Sequence, residues 1–244
     1  MAWFLSRELP SSGQFRLSGD SAHHLGRVMR KKKGDHVVLF DGGGRTVQAE
    51  IVSLVPGAVD VRVLGWADAA RPAGPKMLLA VGIVSADSLA IAVHAAVPAG
   101  IDEFIPVIAE RSQWGRKSVQ GKKLVARLER VAEAACCQSE CAFLPRIAFP
   151  ARLEDVLSCG AEEAVFGSTA PGTPGAASVF SDLASRGIRS LLLLVGPEGG
   201  FTGEEAKLAL KSGAKALRMA PHVLRTEYAA CLMAGFARNL LWPA

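Results

Sequence analysis

LLLLVGPEGGFTGEE, residues 191–205, decides how this chain is read. Four leucines and a valine make an unbroken apolar run, the pattern of a strand buried on both faces of a parallel sheet. The run stops at Gly196, and a loop with three glycines, one proline and one acid follows before a helix begins. Thr202 fits the N-cap of that helix, and Glu205 stands three residues on, the spacing of a capping box. The sequence therefore predicts a bare loop delivered to a helix N-terminus at the carboxyl edge of a sheet, where open α/β sheets bind ligands. Gly196, Gly199 and Gly200 allow positive φ and close approach to the backbone, and Pro197 stiffens the turn.

The loop excludes two familiar ligand classes. A phosphate-binding GxxxxGK[ST] needs a lysine and a hydroxyl that are absent, and the dinucleotide pattern GxGxxG is absent too. Glu198 repels phosphate. A ligand that is neutral or cationic at this point, read by backbone groups, fits better, and S-adenosylmethionine, an adenosine carrying a sulfonium, is of that kind. A tight strand-to-helix turn without a ligand satisfies the same residues.

Outward from this loop the chain alternates strand and helix. MLLAVGIV (77–84), IDEFIPVIA (101–109), AVFGS (164–168) and SLLLLVG (190–196) read as buried strands. Helices are predicted in ADSLAIAVHAAVPAG (86–100), starting near Asp87 or Ser88 and stopping at Gly100, and in GKKLVARLERVAEAACCQS (121–139). VFSDLASRG (179–187), GEEAKLALKSG (203–213) and TEYAACLMAGFARNLL (226–241) continue the series. Such alternation implies a parallel sheet covered on both faces. The first 70 residues have a different rhythm. HVVLFDGGGRTVQAEIVSLVPGAVDVRVLG (36–65) gives short β-branched runs separated by DGGG and VPGA, hairpin signals of a compact barrel or sandwich. The Pro-, Ala- and Gly-rich ADAARPAGPK (67–76) is the linker, so residues 1–70 and 71–244 are expected to be two domains.

The bulk numbers agree. A chain of 244 residues, 50% hydrophobic, buries one large core or two small ones. Its apolar runs are too short to span a membrane, and MAWFLSRELP lacks the pattern of a secretory signal, so a cytoplasmic protein is expected. A net charge of +5 suggests an anionic partner. Five cysteines are an odd number, and CCQSEC (136–141) lacks zinc-ligand spacing, so these read as reduced thiols and no metal is expected.

VGPEGGFTGEE (195–205) followed by VLRTEYA (223–229) resembles the SPOUT-class RNA methyltransferases, and within them the family that methylates N3 of a uridine in small-subunit (16S) ribosomal RNA. HHLGRVMRKKKGD (23–35) with VVLFDGGG (37–44), and FIPVIAERS (104–112), are similar to the same family. The resemblance implies an N-terminal PUA-like β-barrel and a C-terminal α/β domain whose parallel sheet carries a deep trefoil knot. It also implies a homodimer, with S-adenosylmethionine held in the knot. The cofactor contacts it implies are Leu194, Val195, Gly196, Pro197, Gly199 and Gly200 in one loop, Leu217, Met219, Leu224 and Thr226 in a second, and Gly167 in a third. The chain departs from the family's pattern at His94, at Val97 and Pro98, at Cys137 and Cys141, and at His222. Those departures keep a second reading open, a catalytically weakened relative that binds RNA.

Uracil N3 carries a hydrogen and is a poor nucleophile until that proton leaves. Methylation then needs a group to take the proton, a cation to stabilise the uracil anion, and in-line placement of the methyl donor. Arg225 is the expected cation. Glu198 is the expected base, and Glu227 is either a second acid of the site or a first-turn acid favoured by the helix dipole. Arg27, Arg30, Lys31, Lys32 and Lys33 form the dense basic run from which contacts to RNA phosphates are expected, with ribosomal RNA or the small ribosomal subunit as partner.

Overall fold

The computed structural model describes residues 1–10, 12–18, 31–112 and 118–241. They divide into two compact units, residues 1–71 with 133–144, and residues 72–132 with 145–244.

The first unit is built on a five-stranded sheet in the order β1-β3-β4-β5-β2. Its strands are β1 (Ala2–Leu5), β2 (Gln14–Ser18), β3 (His36–Phe40), β4 (Arg45–Val55) and β5 (Ala58–Asp68). β1 runs parallel to β3, and the other pairings are antiparallel. VPGA is the β4–β5 hairpin turn, with Gly57 at φ +80°. DGGG is the β3–β4 turn, in which Asp41 Oδ1 accepts the amides of Gly43 at 2.7 Å and Arg45 at 3.1 Å. Alternate residues, among them Val37, Leu39, Val47, Ala49, Ile51, Val59 and Val61, form one buried core. The unit is discontinuous. Residues 142–144 return to the DGGG turn, where Gly44 N donates to Ala142 O at 3.1 Å and Leu144 N to Gly42 O at 2.9 Å.

The second unit is a parallel sheet in the order β12-β10-β11-β6-β7-β8, with β9 also paired to β7. The strands are β6 (Lys76–Gly82), β7 (Glu103–Ile108), β8 (Arg146–Ile147), β9 (Ala151–Arg152), β10 (Glu163–Gly167), β11 (Ser190–Val195) and β12 (Lys215–Leu217). The helices are α1 (Ala86–Ala96), α2 (Ser118–Ser139), α3 (Leu153–Leu157), α4 (Ala176–Ser185), α5 (Gly203–Lys211) and α6 (Thr226–Leu241). The run of leucines serves two layers. Leu192 and Leu194 join Leu78, Ala80, Leu153 and Val156 in the core beneath α3 and α5. Their neighbours Leu191 and Leu193 are fully buried as well, and α1, α4 and α6 pack together as a separate helix layer, with α6 against β6 and β11. The predicted buried parallel sheet is therefore present.

Helix α1 starts at Ala86, beside the expected Asp87 or Ser88, and is capped by Ser85, whose hydroxyl accepts the Ser88 amide at 3.0 Å. It ends in a single 3₁₀ turn, Val97–Ala99, closed by Gly100 at φ +71°. Strand β12 is short, Lys215–Leu217, and Arg218 after it pairs with Gly175. Among the described residues no helix is long and apolar enough to cross a membrane.

Candidate active site

Strands β10, β11 and β6 lie side by side and β12 flanks β10, all parallel, so their carboxyl ends open on one edge of the sheet. Three loops leave that edge: 168–175 after β10, 196–202 after β11 and 218–225 after β12. Register places Phe166 beside Leu194 and Gly167 beside Leu217, which brings the three segments named from the sequence into one place. The side chains of Leu194, Val195 and Leu217 point into core and are buried, so only their backbone faces the loops. Pro197 is buried, while Met219 and Leu224 are half-buried.

The glycine loop is as sterically tight as its composition implies. Gly200 N donates to Pro197 O at 2.7 Å, and Gly200 itself has φ +66°. A Cβ on Gly196 would meet Phe201 N at 2.9 Å. The capping box is formed: Thr202 Oγ1 accepts the Glu205 amide at 3.3 Å, and Glu205 Oε2 accepts the Thr202 amide at 2.8 Å. The loop is then tied to its neighbours. Thr226 Oγ1 donates to Gly196 O at 3.2 Å, joining the start of α6 to the end of β11. Arg111 Nη1 donates to Gly199 O at 2.6 Å, and Glu205 Oε1 accepts the Glu110 amide at 2.7 Å.

Sequence reading did not single out Gly82, Arg111 or Arg218. A Cβ on Gly82, the last residue of β6, would overlap Pro197 N, so β6 and the glycine loop meet with no side chain between them. A glycine closing the buried run MLLAVG was the signal that could have marked Gly82. Arg111 and Arg218 act on carbonyls distant in sequence, and no local pattern reveals such partners.

The candidate chemical groups have contrasting surroundings. Glu198 is exposed at the Pro197–Gly200 turn, and Arg225 is exposed just before α6. Glu227 is buried, at 6% exposure, in the first turn of α6. Among the described residues Arg225 has no ion-pair partner, so neither Glu198 nor Glu227 is paired with it. His94 and His222 are exposed. In the first unit, Lys32 and Lys33 are exposed on a turn closed by Asp35, whose carboxylate accepts the Lys32 amide at 2.9 Å, and Lys31 precedes it. Arg27 and Arg30 lie outside the described residues. Among the described residues no group of His, Cys, Asp or Glu is placed to hold a metal ion.

A sheet edge built of three backbone loops, with Arg225 and Glu198 exposed on two of them, suits a ligand read by amides and carbonyls. Comparison with known proteins gives this edge its family. Residues 72–238 match the family described as RNA methyltransferase domain, and residues 17–64 match the RNA methyltransferase PUA domain. Ribosomal RNA small subunit methyltransferase E of Bacillus subtilis is 27% identical over 232 residues, covering 91% of this chain and 89% of the relative. The crystal structure of Ribosomal RNA small subunit methyltransferase E from Neisseria gonorrhoeae, bound to S-adenosyl methionine, shares the fold with a TM-score of 0.87 at 23% identity, covering 98% of each chain. A Legionella pneumophila methyltransferase in complex with the same cofactor also gives 0.87, at 22% identity over 98% of this chain and 96% of the other. With the matched domain spanning the whole sheet and all three loops, the chain belongs to the RNA methyltransferase domain family.

Proposed function

We propose that the chain is an S-adenosylmethionine-dependent methyltransferase acting on N3 of a uridine in small-subunit ribosomal RNA, in the cytoplasm. The observation that carries this reading is the convergence of loops 168–175, 196–202 and 218–225 at the carboxyl ends of adjacent parallel strands. The relatives' names and their bound cofactor support it.

The residues fit the cofactor on their own chemistry. The backbone around Gly167, Leu194 to Gly200 and Leu217 to Thr226 presents amides and carbonyls at a place where Gly82 and Gly196 leave no room for added carbons. Arg218 Nε is a buried donor without an acceptor among the described residues. When bound, S-adenosylmethionine supplies the electrophilic methyl group. Thr226 fixes the Gly196 carbonyl, and Arg111 fixes that of Gly199, so the loop is preorganised before any ligand arrives. Arg225, paired with no acid among the described residues, stabilises the uracil anion as the N3 proton leaves. Glu198, exposed at the turn, takes that proton. Glu227, buried in the first turn of α6, favours the helix dipole and sits apart from solvent.

The reading extends to the fold and its assembly. Loop 168–175 is bonded to residues 217 and 218 along its length, which supports a trefoil knot around the end of β12. The first unit is then the PUA-like barrel, and Lys31, Lys32 and Lys33 with Arg27 and Arg30 are its RNA phosphate contacts. Tyr228, Leu232 and Phe236 repeat every four residues on α6 and are 54%, 38% and 40% exposed, with Ile91 exposed on α1, which packs on α6. That apolar face is the homodimer interface.

Calorimetric titration with S-adenosylmethionine and S-adenosylhomocysteine tests the site. Saturable binding at one site per chain, lost on Gly200→Trp, is expected. Incubation with the cofactor and unmodified ribosomal RNA is then expected to leave a reverse-transcription stop at one uridine, because an N3 methyl blocks base pairing. Binding of RNA without binding of either cofactor form would instead favour an RNA-binding module.

A further inference from the structure

The least explained cation of the second unit is Arg218. It follows β12 directly, and its main chain closes loop 168–175 from one side: Arg218 N donates to Pro174 O at 2.8 Å, and Arg218 O accepts the Ala176 amide at 2.9 Å. Its side chain closes the loop from the other side. One Nη donates to Thr169 O at 3.0 Å and to Ala170 O at 2.9 Å. These acceptors are neutral. Arg16, Arg62, Arg146 and Arg186 each reach a carboxylate, but among the described residues no acid pairs with Arg218. Its Nε is buried and has no acceptor among the described residues. A buried donor left unmade is costly, more so when it belongs to a charged group. The guanidinium fork is also shaped for a carboxylate.

Resting on the methyltransferase reading above, we infer that Arg218 binds the α-carboxylate of the cofactor's methionine moiety, through the Nε–H that loop 168–175 leaves free. The carboxylate is the sole anionic group of S-adenosylmethionine, whose amine and sulfonium are cations. Arg218 thus has two tasks. Its Nη holds loop 168–175 against β12, and its Nε offers charge to the ligand that this loop encloses.

The two tasks separate by ligand. S-Adenosylhomocysteine carries the carboxylate, whereas 5′-methylthioadenosine has the same adenosine and thioether but no amino-acid moiety. Calorimetry of the full chain with both compounds is expected to show Arg218→Met weakening S-adenosylhomocysteine about 10- to 100-fold, the range of a charge-assisted hydrogen bond. Binding of methylthioadenosine is expected to be unchanged, and Arg218→Lys, which keeps the cation but not the Nε–H, is expected to fall between. Equal weakening of both compounds would overturn the assignment and leave Arg218 a loop clamp; so would no weakening of either. If Arg218→Met does not fold, Arg218→Lys decides alone, by selective or equal loss. Failure of the wild-type chain to bind either compound would sink the methyltransferase reading and this assignment with it.

Discussion

Single residues divide here into those that keep the site narrow and those that keep the chain folded. Gly82 belongs to the first group. A Cβ would overlap the backbone of the glycine loop, so Gly82→Ala has to push that loop outward. Overpacking of this kind costs about 1–3 kcal/mol. S-Adenosylhomocysteine affinity is expected to fall in calorimetry, while the far-ultraviolet circular dichroism stays that of the parent. On the role proposed for Arg225, Arg225→Ala is expected to lose about 10²- to 10³-fold in kcat with unchanged cofactor affinity. An equal loss in Glu198→Ala and Glu227→Ala would remove the distinction drawn between those acids. Arg238 belongs to the second group. It is 7% exposed and donates to Ala99 O at 2.9 Å, Ala73 O at 2.8 Å and Gly100 O at 2.6 Å, tying α6 to the turn after α1 and to the segment before β6. Arg238→Ala leaves those carbonyls unmatched, and urea unfolding is expected to show about 3 kcal/mol of lost stability. The capping box was legible in the sequence because Thr202 and Glu205 are three residues apart and complete it by themselves. Gly82, Arg111 and Arg238 were not, because what each of them touches lies far along the chain.

Elements explain two titrations in the first unit. On β5, Asp60 is the cross-strand partner of Arg16 on β2 and of Ser53 on β4. Arg16 donates to it at 2.7 and 3.0 Å, and Ser53 at 2.7 Å. The Arg16 hydrogen bonds first, then that of Ser53, hold the carboxyl at about 2. Because the folded value is depressed, this contribution is whole above the ordinary carboxylate range and disappears as pH falls towards 2. Carboxyl NMR is expected to give that midpoint, and Arg16→Ala to raise it. At the end of α2, Cys141 N donates to Cys136 O at 3.0 Å across Glu140, which has φ +57°; this is the six-residue closure of a Schellman turn. The two residues that such a turn brings together are both cysteines. Cys136 donates to Cys141, drawing the Cys141 thiol down to about 6 and pushing the Cys136 thiol up. Alkylation at pH 7 followed by mass spectrometry is expected to label Cys141 first, with Cys136→Ala moving its midpoint back towards that of a free thiol. The sequence showed α2 as one continuous helix. It could not show that its last turn belongs to the first unit, because periodicity records which face is apolar and not what covers it.

For the whole molecule, the alternation of apolar runs and amphipathic helices was enough to give a parallel sheet, since strands buried on both sides have no polar face to keep. Sheet order was beyond it, and order is what sets the loops after β10, β11 and β12 beside one another. The exposed stripe on α6 makes association the natural test at this scale. Leu232→Asp is expected to turn a dimer into a monomer in sedimentation equilibrium, and a wild-type monomer at micromolar concentration would remove the proposed interface. The discontinuity of the first unit has a further effect, on the order of events during synthesis. A ribosome releases residues 1–71 well before residues 133–144, so the amino-terminal sheet emerges without the strip of chain that lies against its DGGG turn. Its last pieces arrive only after β6, α1 and β7 have left the exit tunnel. The amino-terminal unit is thus the first begun and not the first completed, and a nascent chain stalled before residue 133 should show it as protease-sensitive.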